Sequence, residues 1–129
     1  MQDELRWFEE TAASPAACLK QWQAQGGQAV GCLPYYVPEE LIWSAGLLPV
    51  RLWGAAATAR RAGGWFPPYV CSLVQTDLEL ALGGVYQGLR AVVGAPVCDS
   101  LRCLSQNWRA AVPELPLLTY SQPQNRATD

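Results

Sequence analysis

Apolar residues recur along the chain with two different spacings, and the alternation between them predicts alternating strands and helices. Short, nearly continuous apolar runs are typical of strands that are covered on both faces. Apolar residues three or four positions apart are typical of helices that cover such strands. The predicted strands are residues 28–33, 48–53, 89–93 and 115–120, and the predicted helices are residues 3–25, 38–45, 71–82 and 99–110. Pro15, preceded by Ser14 as N-cap, is expected to break the first helix in two.

The order of these elements predicts the fold class. A strand, a short helix and a second strand in succession favour parallel pairing of the two strands. A length of 129 residues fits one domain. The sequence therefore predicts a single α/β domain over residues 1–129. We expect an open, mostly parallel sheet of about four strands with flanking helices, Rossmann-like or flavodoxin-like, preceded by an N-terminal helix.

Residues 31–54 show this pattern most clearly and also carry a candidate for chemistry. Cys32 ends the first predicted strand, and Pro38, Glu39 and Glu40 mark the start of the helix that follows. Open α/β sheets bind their ligands at the edge where the strands end. The segment therefore places a cysteine where a functional site is expected.

Composition excludes several classes of function. The net charge is −2 and no basic stripe is present, so no nucleic-acid partner is predicted. The chain has no histidine, which excludes histidine-based acid–base catalysis and histidine-ligated zinc from this chain alone. No basic leader or long apolar run is found, so we expect a cytoplasmic protein without a membrane partner. Charged residues make up only 16%, which suggests that part of the surface is covered by another domain or subunit.

The cysteines are the residues with the most chemical potential. There are five, and an odd number with wide spacing does not indicate a disulfide framework. In a reducing compartment, grouped cysteines more often bind metal or react than form structural disulfides. Cys18 and Cys103 match no pattern of this kind, and we expect both to be structural.

Cys32, Cys71 and Cys98 are expected at one edge of the sheet. Cys71 and Cys98 each open a predicted helix, and helix starts favour the thiolate form. The absence of close cysteine pairs argues against a structural zinc site and suits an iron–sulfur cluster better. The alternative from the residues alone is that these thiols are small buried apolar side chains.

Three segments in this order resemble a known family. They are the core PEELIWSAGLLPVRLWG of residues 31–54, the run CSLVQTDLELALGG from Cys71, and the run CDSLRCLSQNW from Cys98. Together they resemble the 2-hydroxyacyl-CoA dehydratase D-component family, which includes benzoyl-CoA reductase subunits. Members of that family are much longer, so the resemblance implies that this chain is the N-terminal part of a longer multi-domain subunit.

The resemblance implies a cofactor, a substrate class and partners. The cofactor is an oxygen-sensitive [4Fe-4S] cluster held by three cysteines per subunit, and the substrates are acyl-CoA thioesters. The implied partners are a homologous second subunit or a further copy of the chain, and a separate ATP-dependent activator protein that supplies an electron. Carried over by position, Cys71, Cys32 and Cys98 are the candidate ligands, with at least one ligand outside this chain.

The implied function is that of an iron–sulfur subunit, or a fragment of one, that passes an electron to an acyl-CoA thioester. In dehydratases a ketyl radical then expels the hydroxyl group, whereas in the reductases the electrons enter an aromatic ring. The isolated chain is expected to be inactive. One alternative is a truncated, non-catalytic interaction module of the same fold without the cluster. Another is a related ATP-coupled reductase with a different iron–sulfur cluster.

Two polar residues are candidates for catalysis beside the cysteines. Glu40 could serve in acid–base chemistry, or it could only stabilise the start of its helix. Ser100 could contact a ligand, although a role at the helix N-terminus explains it equally well. Tyr35 and Tyr36 could line a substrate pocket or pack as ordinary aromatic residues. Arg51 could meet a phosphate or form a surface ion pair.

Overall fold

The computed structural model describes residues 2–54 and 56–122, and within them helices alternate with strands. In chain order the elements are α1 Gln2–Ala13, α2 Pro15–Ala24, β1 Gln28–Cys32, α3 Glu39–Ser44, β2 Leu47–Arg51, α4 Ser72–Leu82, β3 Val92–Gly94, α5 Asp99–Ala111 and β4 Leu117–Thr119. A 3₁₀ turn, Ala62–Gly64, lies between β2 and α4. Within these residues, no helix combines the length and apolar character needed to cross a bilayer.

The strands form one sheet in the order β2-β1-β3-β4, and all of its pairs are parallel. Gln28 of β1 lies beside Leu47, and Gly31 lies beside Val92 of β3. The predicted α/β class and the predicted parallel sheet of about four strands are confirmed. The chain leaves β1 for β2 on one side and later returns to β3 on the other side. Ligands of open α/β sheets bind where the winding changes in this way, which here is the crevice at the carboxyl ends of β1 and β3.

The sheet has a closely packed centre at Gly31. A Cβ atom on Gly31 would lie 2.8 Å from Cδ1 of Leu52 and 3.0 Å from Cδ1 of Leu89. The absence of a side chain at this position lets both leucines reach the middle of β1.

The core is anchored by Trp108 of α5, which is fully buried. Its indole N–H donates to the carbonyl oxygen of Leu115 at 2.9 Å, so the polar atom of the ring is satisfied. Its ring stacks against Tyr86 with centroids 6.4 Å apart. Apolar residues of α4 and α5, including Val74, Leu78 and Leu104, complete the same core.

The predicted break in the N-terminal helix is confirmed, because α1 ends at Ala13 and α2 begins at Pro15. Ser14 occupies the N-cap position, although its side chain makes no capping hydrogen bond. Pro38 is the N-cap residue of α3, so this helix begins one residue later than the sequence predicted.

All four strands differ from their predicted bounds, and the starts of the third and fourth strands differ most. The third strand was expected at residues 89–93, but β3 begins at Val92. Leu89 belongs to a turn, in which its N–H donates to the carbonyl of Tyr86 at 3.2 Å. It is apolar because its side chain is buried in the core and not because it lies in a strand. Likewise β4 starts only at Leu117, since the Leu115 N–H closes a turn onto Val112.

Candidate functional site

The three cysteines of the predicted site all lie where strands end or helices begin. Cys32 is the last residue of β1, at the carboxyl edge of the sheet. Cys98 follows β3 and is the N-cap residue of α5. Cys71 is the N-cap residue of α4. The fold therefore gives each cysteine the position that the sequence predicted.

Cys32 is buried and neutral. Its side chain is 1% exposed, and its thiol donates a weak hydrogen bond to the carbonyl of Val30 at 3.8 Å. Burial, reinforced by the negative charge of Glu39, raises the pKa of the Cys32 thiol from 9.0 to about 11. The positive charge of Arg51 acts in the opposite direction but is a smaller influence. At neutral pH this thiol keeps its proton unless a metal ion displaces it.

A cavity of about 350 Å³ opens beside Cys32. It is lined by Cys32, Leu33, Pro34, Tyr35, Tyr36, Val37, Glu39, Arg51 and Trp53. Glu39 and Arg51 form an ion pair at its rim, with Nε of Arg51 2.6 Å from Oε1 of Glu39. On another side, Tyr35 and Trp53 meet edge to face with centroids 5.7 Å apart. The cavity thus combines aromatic walls with one paired set of charges.

Tyr35 and Tyr36 reach this cavity through an unusual backbone. Their φ angles are +69° and +59°, in the left-handed region that side-chain-bearing residues rarely adopt. Both rings remain more than half exposed. Such strain is often found next to functional sites, where the surrounding structure holds it in place. The loop directly after Cys32 therefore has this unusual conformation at two successive residues.

Cys71 and Cys98 are exposed, in contrast to Cys32. The sulfur of Cys98 accepts a hydrogen bond from the backbone N–H of Leu101 at 3.5 Å and so caps α5. The side chain of Cys71 makes no capping hydrogen bond. Free backbone N–H groups at a helix start stabilise a thiolate, so both positions suit metal ligation.

Within the described residues, Cys32 ends β1, Cys98 follows the neighbouring strand β3 and Cys71 opens a helix, and the three do not form a complete metal site. Among residues 2–54 and 56–122, no three cysteine, aspartate or glutamate side chains lie close enough together to hold one metal ion. The donor chemistry of Cys71 and Cys98 fits a thiolate-bound cluster, and Cys32 fits once it has lost its proton. A full set of cluster ligands would have to include groups other than those that the described residues bring together.

The remaining cysteines lie elsewhere. Cys103 is half-buried against the core and its sulfur accepts a hydrogen bond from Nδ2 of Asn107 at 3.5 Å. Cys18 is half-buried on α2. Both environments agree with the structural roles expected from the sequence.

Glu40 and Ser100 show no arrangement that identifies a catalytic role. Glu40 is exposed in the first turn of α3, and Ser100 is half-buried in the first turn of α5. Within the described part of the chain, neither side chain makes a hydrogen bond to a possible reacting group. Their catalytic roles remain predictions.

Asp77 is a buried polar residue that the sequence reasoning missed. Its side chain is fully buried in α4, and Oδ1 accepts hydrogen bonds from the Gly54 N–H at 2.7 Å and the Tyr86 hydroxyl at 3.1 Å. Among the described residues, Oδ2 has no partner. Burial raises the pKa of the Asp77 carboxyl from 3.8 to about 6. The helical spacing of the sequence indicates that Asp77 is buried, because it lies on the same face of α4 as the buried Val74 and Ala81.

Comparison with known proteins identifies what the chain is similar to. Residues 34–129 match the family model of the 2-hydroxyglutaryl-CoA dehydratase D-component. The chain is 38% identical over 120 residues to the beta subunit of (R)-phenyllactyl-CoA dehydratase from Clostridium sporogenes, covering 92% of this chain and 32% of that protein. It is 38% identical over 121 residues to the beta subunit of (R)-2-hydroxyglutaryl-CoA dehydratase from Acidaminococcus fermentans, with the same coverage.

A more distant similarity extends to a reductase. The chain is 26% identical over 114 residues to one of the subunits of benzoyl-CoA reductase from Thauera aromatica, covering 85% of this chain and 30% of that protein. The chain thus spans about a third of the length of the curated relatives it matches. The family resemblance inferred from the three sequence segments is confirmed.

Proposed function

The chain belongs to the 2-hydroxyglutaryl-CoA dehydratase D-component family, and from this premise we propose that it is the cysteine-bearing α/β part of an iron–sulfur subunit. The subunit acts on acyl-CoA thioesters, and the reaction class we favour is dehydration of a 2-hydroxyacyl-CoA. The observation that carries this proposal is the position of Cys32 at the end of a strand and of Cys71 and Cys98 at helix starts, combined with the family match.

The ligands that this chain supplies to a [4Fe-4S] cluster are Cys71 together with Cys32 or Cys98. Exposure at the N-terminus of α4 supports Cys71, because its sulfur is accessible and helix starts favour metal-binding thiolates. Further ligands come from outside the residues described. When bound, such a cluster supplies single electrons, and the protein tunes its potential by burial and hydrogen bonding.

The residues around Cys32 control whether its sulfur can act as a ligand. Burial and Glu39 keep the thiol protonated, whereas the guanidinium of Arg51 favours the thiolate. The ion pair between Glu39 and Arg51 holds both charges at the rim of the cavity. The aromatic rings of Tyr35 and Trp53 form an apolar wall of the same cavity.

The proposal includes partners. Two of the relatives are beta subunits and the third is a reductase subunit, which supports assembly with a homologous second subunit. An ATP-dependent activator protein would supply the electron, and the acyl-CoA thioester would be the substrate. We place the assembly in the cytoplasm, where thiols stay reduced.

Anaerobic reconstitution with iron and sulfide tests the proposal. The full-length protein should take up iron and sulfide and absorb near 400 nm, whereas Cys71→Ala should lose most of that iron. Cys18→Ala is the matched control, since it removes a half-buried thiol of α2 that is not a candidate ligand and should bind as much iron as the wild type. No iron uptake by the wild type, or equal uptake by Cys71→Ala, would overturn the proposal.

One observation favours a second candidate, a non-catalytic interaction module. The described residues do not bring three metal-binding side chains together. If the module is correct, the full-length protein stays colourless and free of iron, and forms a stable complex with a partner protein under the same anaerobic conditions.

A further inference from the structure

A buried carboxyl group connects α4 to the wall of the cavity beside Cys32. Oδ1 of Asp77 accepts a hydrogen bond from the backbone N–H of Gly54 at 2.7 Å. Gly54 directly follows Trp53, which lines the cavity and packs edge to face on Tyr35. The hydrogen bond therefore fixes the backbone at the base of one wall of the cavity.

The conformation of Gly54 leaves this loop little freedom. Its φ angle is +67°, in the left-handed region that favours glycine. A Cβ atom at this position would collide with Oγ1 of Thr76, the residue preceding Asp77 on α4. The loop thus lies directly against α4, with the Asp77 carboxylate as its polar anchor.

Asp77 itself is fixed from a second direction. The hydroxyl of Tyr86 donates to the same Oδ1 at 3.1 Å, and Tyr86 stacks on the buried Trp108. Burying a carboxyl group costs stability, and burial raises the pKa of Asp77 to about 6. An apolar side chain would avoid that cost, so the contribution of Asp77 at this position is its pair of hydrogen bonds.

We propose that Asp77 is a positioning residue for the Cys32 cavity. Through Gly54 it sets the place of Trp53, and Trp53 with Tyr35 forms one wall of the cavity beside the buried Cys32 thiol. The meaning of this role for the enzyme rests on the function proposed above, in which Cys32 is a candidate cluster ligand. The positioning itself concerns access to the thiol and is independent of any cluster.

Alkylation of the metal-free, full-length protein tests the role. Iodoacetamide labelling is followed at each cysteine by peptide mass spectrometry, and the readout is the rate at Cys32 divided by the rate at the half-buried Cys103. Local opening of the cavity raises this ratio without a loss of global stability, whereas a rise caused by global unfolding appears equally in a variant that is destabilised elsewhere in the core. Because no iron is present, the labelling result does not depend on whether the protein binds a cluster.

Two variants of Asp77 distinguish the effect of its hydrogen bond to Gly54 from the effect of burying a side chain at this position. Asp77→Leu replaces the carboxyl group by an apolar side chain and should raise the ratio by about tenfold, since it releases Gly54. Asp77→Asn retains a carbonyl oxygen that can accept both bonds and should keep the ratio within about twofold of the wild type. Leu78→Ala is the matched control, because it weakens the core next to Asp77 without touching Gly54.

A third variant covers the case in which Asp77→Leu does not fold. Gly54→Ala displaces the same loop from its other side, and it should raise the ratio by about tenfold with Asp77 intact. An unchanged ratio in Gly54→Ala would overturn the proposal. So would a ratio in Asp77→Leu equal to that in Leu78→Ala, or a failure of Asp77→Asn to restore the wild-type ratio.

Discussion

The Asp77 carboxyl should make the stability of the domain depend on pH in a way that one substitution removes. In the folded protein, burial raises its pKa to about 6, whereas the unfolded chain titrates near its ordinary value of 3.8. Between these values the native state binds more protons than the unfolded state. The free energy of unfolding therefore falls as the pH rises through this window. Asp77→Asn keeps the shape and the acceptor oxygen but has no proton to exchange.

The magnitude follows from the size of the pKa shift. A shift of about two units corresponds to about 3 kcal/mol, because one unit is worth about 1.4 kcal/mol. The stabilising contribution of the protonated carboxyl is fully present below the unfolded pKa and is lost above pH of about 6. Relative to Asp77→Asn, the wild type should thus become less stable by about 2 to 3 kcal/mol on going from about pH 4 to about pH 7.

Urea denaturation followed by circular dichroism measures this difference directly. Both proteins are unfolded at the two pH values, and the difference between their unfolding free energies is compared. Groups that titrate in both proteins cancel, including Glu79, whose pKa is lowered by hydrogen bonds from Ala62 and Arg61. Parallel pH profiles for the two proteins would refute the reasoning, since Asp77 would then titrate alike in the folded and unfolded states.

Five further substitutions, in three comparisons, test the packing and the helix cap. Trp108→Ala should lower the free energy of unfolding by about 3 to 5 kcal/mol, because it empties a fully buried site. Leu118→Ala, at a position 57% exposed, is the control and should change it by less than about 0.5 kcal/mol. Comparable losses in the two variants would contradict the burial of Trp108 in the core. Gly31→Ala places a methyl group 2.8 Å from Leu52 and should cost about 1 to 3 kcal/mol, so an unchanged melting temperature would disprove the close packing. Cys98→Ser should retain the cap on α5, whereas Cys98→Ala should lower the free energy of unfolding by about 0.5 kcal/mol or more. Equal losses in the two variants, measured by urea denaturation, would exclude capping by the sulfur.

The fold was predictable because each element carries its own pattern. The break at Pro15 follows from proline chemistry, and the parallel order follows from strand, helix and strand in succession. The third strand was misplaced because an apolar run shows only that side chains are buried. Leu89 is buried from a turn, and local spacing does not distinguish this case from a strand.

The candidate site was predictable only in outline. Cys32 ends a strand and Cys71 precedes a helix, so the rule for sheet edges placed both. Tyrosine has no local preference for the left-handed backbone that Tyr35 adopts, so the residue type alone does not predict it. The bond between Asp77 and Gly54 joins two distant parts of the chain, and only the fold brings them together.

The central claim is that this chain supplies cysteine ligands to an iron–sulfur cluster. Mössbauer spectroscopy of the full-length protein, purified anaerobically with ⁵⁷Fe, tests it through Cys71→Ser. Serine replaces one thiolate by an oxygen ligand, so the account predicts a [4Fe-4S] spectrum in the wild type in which one iron environment changes in the variant. A wild-type protein without iron, or a variant whose spectrum is identical to that of the wild type, would contradict the account.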